Sequence, residues 1–257
     1  MAPDFASARL LMSWFTVPVY FVVAWALYRR GLWRSYIYFF ICIILEGLTL
    51  GMLLLAQDNN RAYVLIYKVS QVPTWVLYVM MVIELYRKVF ARFPGIARFA
   101  QRVVIASVFI AFLVGLASIG GDLTQGWSGR SMIFRYSIIL RAISAAITLF
   151  LLLIALFLVW LPIPLPANTI RHSLIFFFYF FVTASVHYFL AKSSVSLVQV
   201  ANLVTAVLTL AALACWYWLL KPEGEIAPTA GKGPRTPSSE MIGRLEALNR
   251  TLSRPSQ

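Results

Sequence analysis

The chain has 257 residues, of which 61% are hydrophobic and 12% are charged, and its mean hydropathy is +0.82. Soluble domains usually carry about 25% charged and about 45–50% apolar residues. This composition therefore excludes a soluble globular domain, a disordered chain and a fibrous repeat. It predicts a polytopic membrane protein that lies in a lipid bilayer.

The net charge of +13 does not indicate nucleic-acid binding in this setting. The basic residues are spread between apolar segments and form no single patch, so they favour membrane topology and contact with anionic lipid at the cytoplasmic face. The two cysteines, Cys42 and Cys215, both lie inside apolar runs. We therefore expect no disulfide in the fold.

Seven apolar stretches are each long enough to cross a bilayer, which takes about 20 apolar residues in a helix. They lie near 9–28, 35–56, 62–86, 101–120, 133–160, 170–191 and 196–220. Backbone groups have no water to bond to inside a bilayer, so each stretch should be helical. We predict an all-α integral membrane protein, with a seven-transmembrane-helix bundle in residues 1–221.

The loops between these stretches predict the orientation. Fifteen Lys and Arg residues lie on segments that would share one side of the membrane, and five lie on the other side. Because positive charge is retained in the cytoplasm, we expect the N terminus outside and the C terminus inside a cell membrane, the cytoplasmic membrane in a bacterium. The first stretch resembles a signal peptide at 24–26, but its length and the following arginines favour an uncleaved helix.

Residues 222–257 form a basic tail that differs in composition from the rest of the chain. The abundance of Pro, Gly, Ser and charged residues predicts a disordered linker at the start of this tail. Leu245, Leu248 and Leu252 then place one apolar stripe on a short amphipathic helix at 239–252. A stripe shorter than two heptads favours a helix on the membrane surface, and it leaves open a homodimer or a cytoplasmic protein partner bound through the tail.

Polar residues inside the spans are the candidates for function, because an ionisable group there costs about 2.5–3.5 kcal/mol on insertion scales. They are Glu46, Lys68, Gln71, Arg141, His187, Gln199 and Asn202. The predicted topology places them near the middle or in the outer half of the bilayer. We expect a small-ligand cavity there, with Glu46 paired to Lys68 or Arg141. The alternative is a set of polar clamps between helices, each contributing about 0.6 kcal/mol.

Two patterns concern packing. Gly47 and Gly51 form a GxxxG, for which close packing within the monomer is favoured over a homodimer. The run at 176–181 is aromatic on every side of its helix, which predicts a span that faces lipid.

Signatures of catalysis are missing from the sequence. The chain has no HExxH, no Gly-x-Ser-x-Gly and no phosphate-binding glycine loop, and two histidines are too few for a metal cluster. We therefore predict no catalytic residues, no metal and no cofactor, and an intramembrane enzyme is the least favoured class.

The layout resembles rhodopsins and G-protein-coupled receptors in helix count and orientation alone. The last span has no lysine before Lys221 that could bind retinal as in rhodopsins. The receptors' motifs are missing as well: Glu84-Leu85-Tyr86-Arg87 stands in place of their acidic-Arg-Tyr, and the last span has no Asn-Pro-x-x-Tyr. Seven spans followed by a basic linker and a helix are similar to the sensor modules that precede bacterial signalling domains. We expect a sensor or receptor-like module, and the alternative is a small transporter or channel that uses the intramembrane charged residues.

Overall fold

The computed structural model describes residues 5–90, 132–160, 165–190 and 195–225, with single positions at 106, 109, 110, 113 and 117. Its continuous segments contain six α-helices: α1 (Phe5–Arg29), α2 (Ile37–Leu55), α3 (Asn60–Phe90), α4 (Met132–Trp160), α5 (Ala167–Leu190) and α6 (Val195–Leu219). Two 3-10 helices, Leu32–Arg34 and Pro222–Glu225, follow α1 and α6.

Five of these helices are long and apolar enough to span a membrane. The spanning segments are Leu10–Arg29, Ile37–Leu55, Asn60–Lys88, Ala167–Phe189 and Val200–Leu219, and α4 holds a shorter apolar stretch, Ile138–Leu153. The protein is thus an all-α, multi-pass membrane protein. The predicted fourth span at 101–120 falls largely outside the described residues, so the count of seven stays a prediction.

The described helices form a ring in which α1 packs on α2 and α6, α2 on α3, and α5 on α4 and α6, while α3 touches α4 and α5. The last turns of α1, α3 and α6 meet the first turns of α2 and α5 at one end of the bundle. Residues 222–225 lie there, so this is the tail end. The opposite end is the cavity end.

The chain turns sharply after α1 at Gly31, whose φ of 71° lies in the left-handed region that suits glycine. Its amide N–H donates to the carbonyl of Tyr28 at 3.0 Å, which closes the end of the helix. The turn leads the chain directly into the short 3-10 helix and then back into the membrane as α2.

The GxxxG residues pack α2 against α1 within the monomer. A Cβ added at Gly47 would lie 2.9 Å from Cβ of Tyr20, whereas one added at Gly51 would keep an ordinary 3.7 Å contact with Val17. Close packing within the monomer is confirmed for Gly47, and a homodimer stays a prediction.

The aromatic run at 176–181 is divided between core and surface. Phe176 and Phe180 are buried at 4% and 1% exposure, whereas Phe178 and Phe181 are more than half exposed. The expectation that this run faces lipid holds for only one side of α5. The buried side belongs to a core to which all six described helices contribute, α4 through Ile147 and Leu151.

Candidate functional site

A cavity of about 290 Å³ lies between the helices on the cavity-end side of the bundle centre. All six described helices contribute to its wall. Nine of the lining residues carry hydroxyl groups: Ser13, Thr16, Tyr20, Tyr67, Thr74, Tyr78, Tyr179, Thr205 and Thr209. A space of this size and polarity, inside a membrane bundle, is the best candidate for a binding site in the described part of the chain.

Glu46 lies deep in this cavity, at the middle of α2. Its Oε1 accepts a hydrogen bond of 2.8 Å from the Tyr78 hydroxyl of α3. The Glu46 side chain keeps intermediate exposure although it is central in the bundle. Because Glu46 lines the cavity, a small molecule in that space would contact its carboxyl group.

The stripe of α3 that lines the cavity consists of Tyr67, Gln71, Thr74 and Tyr78. These positions are separated by four, three and four residues, so they share one helix face. Lys68 is offset from Tyr67 by one residue, or about 100° of helix rotation, and it is exposed on the outside of the bundle. Lys68 is not among the residues that line the cavity, although it lies three residues before Gln71.

The structure brings together only some of the other predicted residues. Asn202 lines the cavity beside Glu46 and Gln71. Arg141 and His187 do not line it. Arg141 is buried on α4, and its guanidinium carbon lies 5.9 Å from the ring centroid of Tyr188. His187 Nδ1 lies 2.8 Å from the Thr183 carbonyl within α5. Gln199 belongs to α6, but its side chain is outside the described set.

The predicted ion pair of Glu46 is not formed. Among the described residues, no salt bridge joins Glu46 to Lys68 or Arg141, and the carboxyl group bonds to Tyr78 instead. The physical reason is geometric: Lys68 faces outward from α3, and Arg141 packs toward Tyr188 of α5.

An aromatic plug, formed by Phe39, His172, Phe176 and Trp216, closes the cavity toward the tail end. A second space of about 30 Å³ shares Glu46, Tyr78 and Tyr179 with the cavity wall, and three of the plug side chains also line it. All four are buried, and the His172 ring lies with its centroid 4.6 Å from that of Phe39 and 4.4 Å from that of Phe176. The rings of these four residues pack against one another at this level of the bundle.

Beyond the plug, a polar network at the tail end holds the last turn of α6. Arg30 donates to the backbone carbonyls of Tyr217 and Leu220, both at 2.6 Å, and Arg171 donates to that of Leu219 at 2.9 Å. The last carbonyls of a helix have no partner within it, and they attract cations. Arg30, which directly follows α1, and Arg171 of α5 therefore stabilise the end of α6.

Asn168 at the start of α5 anchors the chain that follows α6. Its side-chain nitrogen donates to the Lys221 carbonyl at 2.7 Å and to Glu225 Oε1 at 3.0 Å, and its oxygen accepts from the Lys221 N–H at 3.3 Å. A Cβ at Gly224 would lie 2.6 Å from Asn168 Cγ, so only glycine fits there. The described structure thus includes the first four residues of the predicted tail, 222–225, and the helix predicted at 239–252 lies outside the described residues.

Lys88 of α3 binds the same segment. Its Nζ lies 3.0 Å from Glu225 Oε2 and 3.6 Å from the ring centroid of Tyr36. Burial alone would raise the pKa of Glu225, but hydrogen bonds from Asn168 and Lys88 and the nearby Tyr36 hydroxyl lower it below its usual value. Glu225 is therefore ionised at neutral pH and joins α3, α5 and the chain after α6.

Glu84 caps α2 from the neighbouring helix. Its Oε1 accepts from the Ile37 N–H at 2.8 Å, at a helix start where Tyr36 supplies no side-chain cap. A carboxylate at a helix N terminus satisfies an unpaired N–H and interacts favourably with the helix dipole.

Sequence reasoning missed the tail-end residues because they lie at helix ends, where polar side chains are ordinary. In the described part of the chain, no three His, Cys, Asp or Glu side chains converge on a position that could hold a metal ion. Comparison of the chain with protein-family models, with curated proteins and with solved structures finds no match.

Proposed function

We propose that this protein is a sensor or receptor-like membrane module that binds a small ligand in the cavity around Glu46. The observation that carries the proposal is the polar cavity closed on one side by the aromatic plug. A transporter must expose its site to both sides of the membrane in turn, with polar groups along the route. A sensor needs a single opening, and the aromatic plug on one side of the cavity supports this proposal over the transporter.

The orientation belongs to the same proposal. The bias of positive charge assigns the tail end to the cytoplasm and the cavity end to the outside. Polar lining residues near the cavity end, such as Ser13 and Asn202, are partly exposed, whereas Thr16 and Thr74, which are nearer the bundle centre, are buried. This gradient supports entry of the ligand from the outer side.

The tail end offers a way to transmit binding. Ligand contacts with α3 and α6 in the cavity act on the two helices whose far ends meet through Lys88 and Glu225. A ligand that prefers one relative position of these helices shifts their population toward it. The change would reach the chain at residue 226 and, through it, a cytoplasmic partner of the tail.

Cysteine labelling tests the one-sided cavity. In a background with Cys42→Ala and Cys215→Ala, we would introduce Asn202→Cys in the cavity wall and, as a matched control, Val204→Cys on the exposed face of the same helix. A small, membrane-impermeant thiol reagent should label only Asn202→Cys, and only from the side that bears the N terminus. A ligand that binds in the cavity should slow that labelling.

Two results would contradict the proposal. Labelling of Asn202→Cys from both sides would favour the transporter or channel. Lack of labelling from either side, with the protein folded, would show that the cavity is closed to solutes.

A further inference from the structure

We propose that the ligand of this cavity is a small organic ammonium ion, an inference that rests on the function proposed above. Among the described residues that line the cavity, Glu46 is the one acidic side chain and none is basic. The chain as a whole carries a net charge of +13. A cavity whose described wall holds a carboxyl group and no basic side chain, in so basic a protein, is complementary to a positive ligand.

The hydrogen bonding of Glu46 points the same way. A carboxylate offers about four acceptor positions, and the Tyr78 hydroxyl occupies one of them. The charged form of a carboxyl group in the middle of a bilayer is costly unless an opposite charge offsets its desolvation. A ligand ammonium supplies that charge, and its N–H groups form charge-assisted hydrogen bonds with the free positions.

The aromatic lining suits a cation as well. Four tyrosines line the cavity with Glu46, namely Tyr20, Tyr67, Tyr78 and Tyr179, and they come from three different helices. The faces of such rings attract ammonium groups, most strongly where water is excluded. An anionic ligand would meet the same rings and the Glu46 carboxyl group, and no described lining residue offers a positive charge to compensate.

The volume limits the size of the ligand. Pockets for drug-sized molecules measure about 300–1,000 Å³, and this cavity, at about 290 Å³, lies at the lower limit. Liquid water takes about 30 Å³ per molecule, so the space corresponds to roughly ten heavy atoms. A monoamine with one ring or a short chain fits, whereas a nucleotide or a peptide does not.

Three probes of equal size test the charge preference on the unmodified full chain in nanodiscs at neutral pH. They are benzylammonium, benzyl alcohol and benzoate, which share one ring and differ in charge. We expect benzylammonium to bind at least about tenfold more tightly than benzyl alcohol, and benzoate not to bind, as measured by calorimetry and by the rise in Tm.

Glu46→Gln keeps the shape of the side chain and removes its charge. It should weaken benzylammonium binding by about tenfold or more and leave benzyl alcohol binding unchanged. Glu223→Gln makes the same charge change at an exposed position of the tail end and should alter neither affinity. Ala206→Phe fills the cavity and should abolish binding, whereas Ala211→Phe on the exposed side of α6 should not.

An ammonium group can also come from a lipid headgroup. Nanodiscs of phosphatidylglycerol contain no ammonium, and those with phosphatidylethanolamine do. If the headgroup is the natural ligand, phosphatidylethanolamine should compete and weaken benzylammonium binding; if a soluble amine is the ligand, both membranes should give the same affinity. Either result keeps the ammonium assignment.

The inference and the proposed function fail in different ways. Binding of benzyl alcohol or benzoate as tight as that of benzylammonium, lost in Ala206→Phe, would leave a ligand cavity and overturn the ammonium assignment. Failure of benzylammonium to bind at millimolar concentration, or an affinity unchanged by Glu46→Gln, would also overturn it. The one-sided labelling of Asn202→Cys would still decide the proposed function.

Discussion

The cavity end and the tail end of the bundle are both polar, but their polar groups are matched in different ways. At the tail end, Arg30, Lys88, Asn168 and Glu225 bond across helices at 2.6–3.0 Å. In the cavity, Tyr78 bonds to Glu46 across two helices, but hydroxyls such as Thr205 bond to carbonyls of their own helix. Groups matched between helices stabilise the fold, whereas groups matched within a helix leave space for a ligand.

The largest difference between the two ends should come from one substitution made at each. Asn168→Leu removes a buried amide that holds Lys221 and Glu225 and leaves their groups unpaired, which should lower the free energy of unfolding by about 3 kcal/mol. Asn202→Leu replaces a partly exposed cavity amide and should change stability by less than about 0.5 kcal/mol. Thermal unfolding in detergent measures both, and equal losses would contradict the comparison.

The wall of the cavity should nevertheless be tightly packed where α1 meets α2. Gly47→Ala places a methyl group 2.9 Å from Cβ of Tyr20, and the helices must separate, at a cost of about 1–3 kcal/mol. Gly51→Ala has room, and should be neutral or stabilise by up to about 1 kcal/mol, because alanine favours helix. A Tm lowered equally by both changes would argue for a role of the pair outside the monomer.

The cap on α2 should have a moderate effect. Glu84→Ala leaves the Ile37 N–H without its acceptor and should cost about 1 kcal/mol, the usual loss for a helix cap. Glu223→Ala, an exposed acid at the same end, should have no measurable effect. Hydrogen exchange of the Ile37 amide gives a local readout, and unchanged protection in Glu84→Ala would contradict the cap.

The smallest effect concerns pH. The network lowers the pKa of Glu225. The ionised Glu225 side chain therefore stabilises the fold above the ordinary pKa range of glutamate, and this stabilisation is lost as the pH falls through the lowered pKa. The stability gap between the unmodified chain and Glu225→Gln should therefore be constant from about pH 7 to pH 5, and should disappear at more acidic pH than the ordinary value of about 4.3. A gap that closes already near pH 5 would show that the network does not hold the charge.

Much of the architecture could be predicted from the sequence, because membrane insertion depends on local hydropathy. The expected second span at 35–56 is a helix at Ile37–Leu55, and Glu46, Gln71 and Asn202 all line the cavity. An intramembrane polar residue faces the interior of a bundle to avoid lipid, so composition alone was a good guide to these three.

Tertiary structure decided the rest, because pairing depends on helix phase and on which helix ends meet. Lys68 is exposed on the surface of α3, which no count of charges reveals, and Tyr78 donates a hydrogen bond to Glu46 where a cation was expected. Asn168 and Gly224 are 56 positions apart and acquire their roles only because α5 and the end of α6 touch. The sequence by itself determined that the chain is a bundle in a membrane; contacts between distant helices determined which of its polar residues surround a cavity and which hold the bundle closed.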